Sequence, residues 1–322
     1  MSSPLRFRLL GREDVPFADS LRALAEWNQT LGDWERFLAL EPKGCFLAEW
    51  NGTPAGTATT IGYGPDLAWI GMVLVHPEFR RRGIGRALLR HCIDFLRGRG
   101  VRCIKLDATP LGRTVYCNLG FQDEWTLKRW VRPPAPPQVA FHNPGRADLP
   151  VGLDARQRVP TGLLNPMRDL EIEEVARDAS LRAWRAEDEQ LLGPLDASAF
   201  GVSRQALLPA LASQSRSAVV LESEPGRPAA FGLLRPGSQA LYLGPVIATS
   251  ADTGIRVIEA LVAASEGQMI FWDVPDRNTA ADAWADQHGF AVQRPLTRMF
   301  LGENLAPGDP RKQFALAGPE VG

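Results

Sequence analysis

The residues equipped for chemistry lie between Met72 and Leu89, Met-Val-Leu-Val-His-Pro-Glu-Phe-Arg-Arg-Arg-Gly-Ile-Gly-Arg-Ala-Leu-Leu. An apolar run ends at Val75 and Pro77 stops it. Arg80, Arg81 and Arg82 follow, and Gly83-Ile84-Gly85 leads into a helical pattern carrying Arg86 and Arg90. Glycines there let the backbone turn tightly and approach a ligand without Cβ interference. The N–H groups at the helix start and the positive end of its dipole then converge on one point. That construction suits a phosphate or pyrophosphate. It is not a Walker A loop, because no Gly-Lys-Ser/Thr follows, and GxGxxG is absent. Further on, Tyr116 in Tyr-Cys-Asn-Leu-Gly-Phe121 offers a phenol that stays protonated at neutral pH. No His/Cys/Asp/Glu spacing resembles a metal site. Cys117 has no paired His to make it a nucleophile. His76 reads as a surface residue, and His91 as a half-buried one on an apolar helix face.

Arg-x-x-Gly-x-Gly directly after a strand ending Val-x-Pro, with Arg80, Gly83 and Gly85 at the defining positions, resembles the acyl-CoA-binding motif of the GNAT (GCN5-related N-acetyltransferase) superfamily. Tyr116–Phe121 is similar to its later Tyr-x-x-x-Gly-Phe element, and the resemblance covers residues 5–130. It implies acetyl-CoA as co-substrate, lying between two parallel strands that splay apart, Ala68–Val75 and Val101–Asp107. Pantetheine would run along Val73, Leu74 and Val75. The pyrophosphate would sit on Arg80, Arg81, Arg82, Gly83, Ile84, Gly85 and Arg86. Gly71 either marks the bulge that opens the splay or accommodates a neighbour. The resemblance gives Tyr116 the role of acid for the departing sulfur; a purely structural Tyr is the alternative. A backbone N–H near Met72 or Val73 is the oxyanion donor expected. The general base is open among Asp66, Asp107 through water, Glu26, and a relay of water and carbonyls. Trp27-Asn28-Gln29-Thr30 interrupts the first helix. Trp27, Asn28 and Gln29, with Trp69 and Tyr63 as walls, are candidate contacts for a small primary amine acceptor. Transfer would be direct, in a ternary complex. A non-catalytic acyl-CoA-binding regulator is the competing reading.

The elements that must hold these residues alternate. Leu5–Leu10 is a strand, and a helical stretch over Asp14–Leu40 breaks around Thr30–Gly32. A hairpin across Asn51-Gly52, the Ala68–Val75 strand, a helix over Arg82–Gly98, a strand, a short helix and a last strand follow. The fold class is α/β (α+β): a mixed, mostly antiparallel twisted sheet with flanking helices. The second half repeats the pattern. Ile70-Gly71-Met72-Val73 matches Leu243-Gly244-Pro245-Val246, and Leu119-Gly120-Phe121 matches His288-Gly289-Phe290. Two tandem copies follow: residues 1–132 catalytic, a Pro/Gly-rich linker or arm at 133–165, a degenerate copy at 166–304 and a flexible tail at 305–322. Val246–Arg256 has no Arg-x-x-Gly-x-Gly, and Ala285 stands where Tyr116 stands in the first copy. The second copy is left to complete the acceptor pocket, mediate a homodimer or sense a small ligand.

Composition narrows the remaining classes. The 322 residues carry a net charge of −1, so nothing suggests nucleic acid or an anionic membrane surface as partner. That figure averages +5 up to Arg132 against −6 beyond it. No apolar run approaches the ~20 residues of a bilayer span, and no signal-peptide pattern opens the chain. Four cysteines without a CxxC pair suit a reduced, cytoplasmic setting.

Overall fold

Asn51 and Gly52 both take positive φ, 51° and 81°, as a tight hairpin turn requires. They join β2 (Cys45–Trp50) to β3 (Thr53–Gly62). In this computed structural model, which describes residues 4–135 and 181–322, β1 (Leu5–Leu9) pairs antiparallel with β2, and β3 with β4 (Ala68–Val75). Helices α1 (Val15–Leu24) and α2 (Leu31–Leu40) precede the hairpin. The break between them falls at residues 25–30, a stretch that contains the Trp27–Thr30 interruption and ends before Gly32. Thr30 caps α2 in a reciprocal box with Asp33. Then come α3 (Ile84–Gly98), β5 (Cys103–Ala108), α4 (Pro110–Cys117) and β6 (Gln122–Arg132).

The same order recurs. It runs through β7 (Leu181–Ala183), α5 (Asp188–Phe200), α6 (Leu207–Ala212), β8 (Ser217–Glu224), β9 (Arg227–Arg235) and β10 (Leu241–Ala248). It continues through α7 (Ala251–Ala263), β11 (Ile270–Pro275), α8 (Thr279–Gln287) and β12 (Ala291–Gly302). Side chains echo it too. Arg8 holds Asp14 and Glu49 as Arg182 holds Asp188 and Glu222.

The two copies are not side by side; they trade their last strands. The sheet runs β1-β2-β3-β4-β5-β12-β6-β11-β10-β9-β8-β7. β12, from the second half, lies antiparallel against β5, and β6, from the first, lies antiparallel against β11. Each exchange is fastened by a buried bidentate ion pair: Arg298 on Asp107, and Arg129 on Asp273. In both, the side chains are almost wholly out of water, where unpaired charges would be costly. Apolar side chains of α3, Ile84, Leu88 and Leu96, fill the core beneath β3 and β4. Val257, Ile258 and Leu261 of α7 do the same in the second copy.

One expectation is overturned. Residues 305–322, rich in Gly, Pro and Lys/Arg, were expected to fray. Instead β13 (Gln313–Ala315) pairs with β10, and Phe314, Leu316, Ala317 and Val321 are buried. Short apolar residues between the polar ones let this segment pack. Of the linker expected at 133–165, everything from 136 on lies outside the described residues, as does the expected start of the second copy at 166.

Candidate active site

The candidate phosphate cradle has the backbone geometry its residue types suggested. Arg81 and Gly83 take left-handed conformations, φ 62° and 80°. Gly83 is the N-cap of α3 and supplies no side-chain cap. A left-handed turn opening a helix points successive N–H groups into one concavity. Ile84 is buried and anchors the helix, while Gly85 lies against Val75. Arg80, Arg81, Arg82 and Arg86 are exposed and have no carboxylate partner among the described residues. Arg80 Nε donates to the Val75 carbonyl at 3.2 Å. The Arg82 guanidinium lies over the Trp50 and Phe79 rings. The chemistry of this donor set fits a polyanion.

Beyond the cradle, β4 and β5 separate. They pair in parallel only at Ala68–Ile104 and Trp69–Lys105, although both strands continue. The bulge falls at Met72–Val73, not at Gly71. Thr57 pairs with Leu74 and Thr59 with Gly71, so two residues of β4 oppose one of β3, with Met72 at φ 49°. Gly71 serves a close approach instead: a Cβ there would lie 2.5 Å from the Glu320 carbonyl oxygen.

Where the strands part there is a cleft of about 550 Å³, open mouth included. Ile70, Gly71, Met72 and Val73 form one wall, with Tyr116 beside them. Leu74 and Val75 continue β4 toward the cradle, outside this lining. Tyr116 sits on α4, whose start is capped by Thr109. Burial pushes its phenol up to about 12.

Of the expected acceptor contacts, Trp27 and Gln29 line the cleft; Asn28 and Trp69 do not. Asn28 is buried, and its amide is spent on the backbone of Gln239 and Ala240. It joins the copies. Trp69 is fully buried, with its indole N–H on the Pro319 carbonyl. Tyr63 is buried likewise, its hydroxyl on the Val321 carbonyl at 2.7 Å. Both hold residues 319–321 in place. None of the three carboxylates named as base candidates both lines the cleft and has an unpaired oxygen. Asp66 is outside the cleft and paired with Arg102. Asp107 lines the cleft, but both its oxygens accept from Arg298. Glu26 is exposed and also outside the cleft lining.

Three charged cleft residues escaped the sequence reading: Arg129, Arg294 and Glu320. Glu320 is buried and accepts from Gln29 Nε2 at 2.8 Å. Burial first, then the Asp33 carboxylate, raises its pKa above the usual range, against the pull of Arg235. The overlooked signal was a lone acid in an apolar-flanked segment, Phe-Ala-Leu-Ala-Gly-Pro-Glu-Val.

The second copy has the same splay but not the same opening. β10 and β11 pair in parallel at Leu241, Tyr242 and Leu243, then part. β13 fills the gap, pairing Ala315 with Val246, while Leu316 N–H donates to the Asp273 carbonyl. The helix start is closed too, because Ser250 caps α7 with its own hydroxyl.

Comparison with known proteins agrees with this duplication. A model described as Acetyltransferase (GNAT) family matches residues 14–121, and one described as Acetyltransferase (GNAT) domain matches residues 193–315. The uncharacterized N-acetyltransferase YitH of Bacillus subtilis is 25% identical over 80% of this chain and 77% of its own length. A holothin acyltransferase of a Pseudoalteromonas species is 26% identical over 93% of this chain and 89% of its own. In fold, a crystal structure from Pyrococcus horikoshii superposes with a TM-score of 0.75 at 20% identity, covering 100% of this chain and 97% of that one.

Proposed function

The chain belongs to the GNAT acetyltransferases, in tandem form, and from that premise we propose that its first copy transfers the acetyl group of acetyl-CoA directly to a small primary amine. One observation carries the reading. The first copy has an open α3 start, a splay of β4 from β5 and a cleft at that splay lined by Tyr116, and in the second copy the helix start and the splay are closed. Arg80–Arg86 would hold the phosphates, and β4 from Val75 back to Val73 the pantetheine arm. Acetyl-CoA supplies an acetyl group already activated as a thioester. Glu320 is the base: its carboxylate takes the proton that the ammonium must lose before nitrogen can attack. The backbone N–H groups at the Met72–Val73 bulge stabilise negative charge on the acetyl oxygen. Tyr116 gives its hydroxyl proton to the leaving sulfur.

The acyl-transfer reading is supported by a relative named holothin acyltransferase, which matches along nearly the whole chain. The test is free-thiol release from acetyl-CoA across a panel of primary amines. At least one acceptor is expected to turn over. Tyr116→Phe should then lower kcat by about 10²–10⁴-fold and leave the KM for acetyl-CoA nearly unchanged. Acetyl-CoA binding without turnover anywhere in the panel would favour a regulator instead.

A further inference from the structure

Two buried side-chain atoms on residues lining the cleft have no partner among the described residues, and they are opposite in character. Gln29 Oε1 is an acceptor and Arg294 Nε a donor, and both residues line the same cavity. Buried polar atoms are nearly always paired, so each such exception asks for an explanation. An unsatisfied acceptor and an unsatisfied donor on the lining of one cleft are what a ligand with both a donor and an acceptor would complete.

Arg294 reaches the first copy's cleft only because β12 is exchanged. The β12–β6 register sets it directly opposite Arg129. Like charges in that relation repel. Arg129 is neutralised by Asp273, whereas Arg294 has no ion pair or side-chain hydrogen bond among the described residues. Burial first, and Arg129 second, lower its pKa from the ordinary arginine value. A guanidinium so placed gains most from a planar anion that can take two of its N–H groups, and a carboxylate has that geometry. In the same lining, the Glu320 carboxylate and the free Gln29 oxygen form an all-acceptor pair suited to an ammonium or amine.

We propose that the acceptor is an amino acid or a close derivative, bearing a primary amine and a free carboxylate, and that Arg294 of the second copy reads the carboxylate. The proposal rests on the acetyltransferase reading above, and it gives the second copy a defined task. Without β12 the cleft would lack the cation that has no carboxylate partner among the described residues.

The experiment compares matched pairs of acceptors in thiol release: L-amino acids and ω-amino acids from glycine to 6-aminohexanoate, each beside the amine of the same skeleton without its carboxylate. For the best pair, the carboxylated member should be preferred by about ten- to a hundredfold in kcat/KM, the worth of a charged hydrogen bond. In Arg294→Gln that preference should collapse through KM, while the rate on the uncharged partner is retained. The retained rate also reports that the variant folds. Equal rates for both members of every pair, or a preference that survives Arg294→Gln, would overturn the proposal and leave the acetyltransferase reading standing. No thiol release from any member, in protein that still binds acetyl-CoA, would overturn both.

Discussion

At the scale of single residues, burial raises the proton affinity of two groups on which the proposed chemistry rests. Tyr116 is pushed up to about 12, so it keeps its proton through neutral pH and imposes no alkaline limb there. Glu320 is shifted upward as well. A raised carboxyl pKa means that the proton is held to higher pH than usual. The base form accumulates only as pH rises through that value, so kcat/KM should climb over the interval and level off above it. Glu320→Gln, nearly isosteric, is expected to abolish this acidic limb and cost about 10²-fold or more in kcat. A pH–rate profile checks it, and an unchanged limb would move the base elsewhere. The glycine-hinged helix start at Arg80–Gly85 was legible in the sequence because strand, turn and helix start are contiguous. Glu320 and Arg294 were not, since they reach the cleft from nearly 200 residues or more away. Asn28 misled for the same reason. Its polarity serves a backbone in the other copy.

Among the elements, the duplication was readable from the repeated strand order, but the exchange of β6 and β12 was not. Nothing in strand periodicity says which neighbour a last strand chooses when two equivalent edges are available. The register is specified by buried pairs instead. Asp107 holds Arg298, and Asp273 holds Arg129, each across copies. Asp107 therefore belongs to the architecture rather than to proton transfer. Replacing Arg298 with Ala would leave Asp107 buried and unpaired, and should cost about 3–5 kcal/mol of stability, read as a lower urea midpoint. A variant within 0.5 kcal/mol of the parent, roughly the scale of a surface substitution, would mean that apolar packing alone sets the exchange. The segment 305–322 was misjudged on composition. Its Gly and Pro residues shape a path through two clefts, from β13 in the second to Glu320 in the first.

For the molecule as a whole, one fold is used twice but one site is built once, from both halves. The first copy contributes cradle, splay and Tyr116. The second contributes Arg294, Leu296, Pro319 and Glu320, while its own splay is filled by β13 and its helix start is capped by Ser250. The charge imbalance between halves has a matching source in the arginine cluster at 80–90, which belongs to the open copy. Titration calorimetry of acetyl-CoA into the intact chain tests this asymmetry most directly. One molecule should bind per chain, and Gly83→Glu, which puts a carboxylate and a strained φ into the cradle, should abolish it. Two equivalents per chain, or binding that survives Gly83→Glu, would contradict the account.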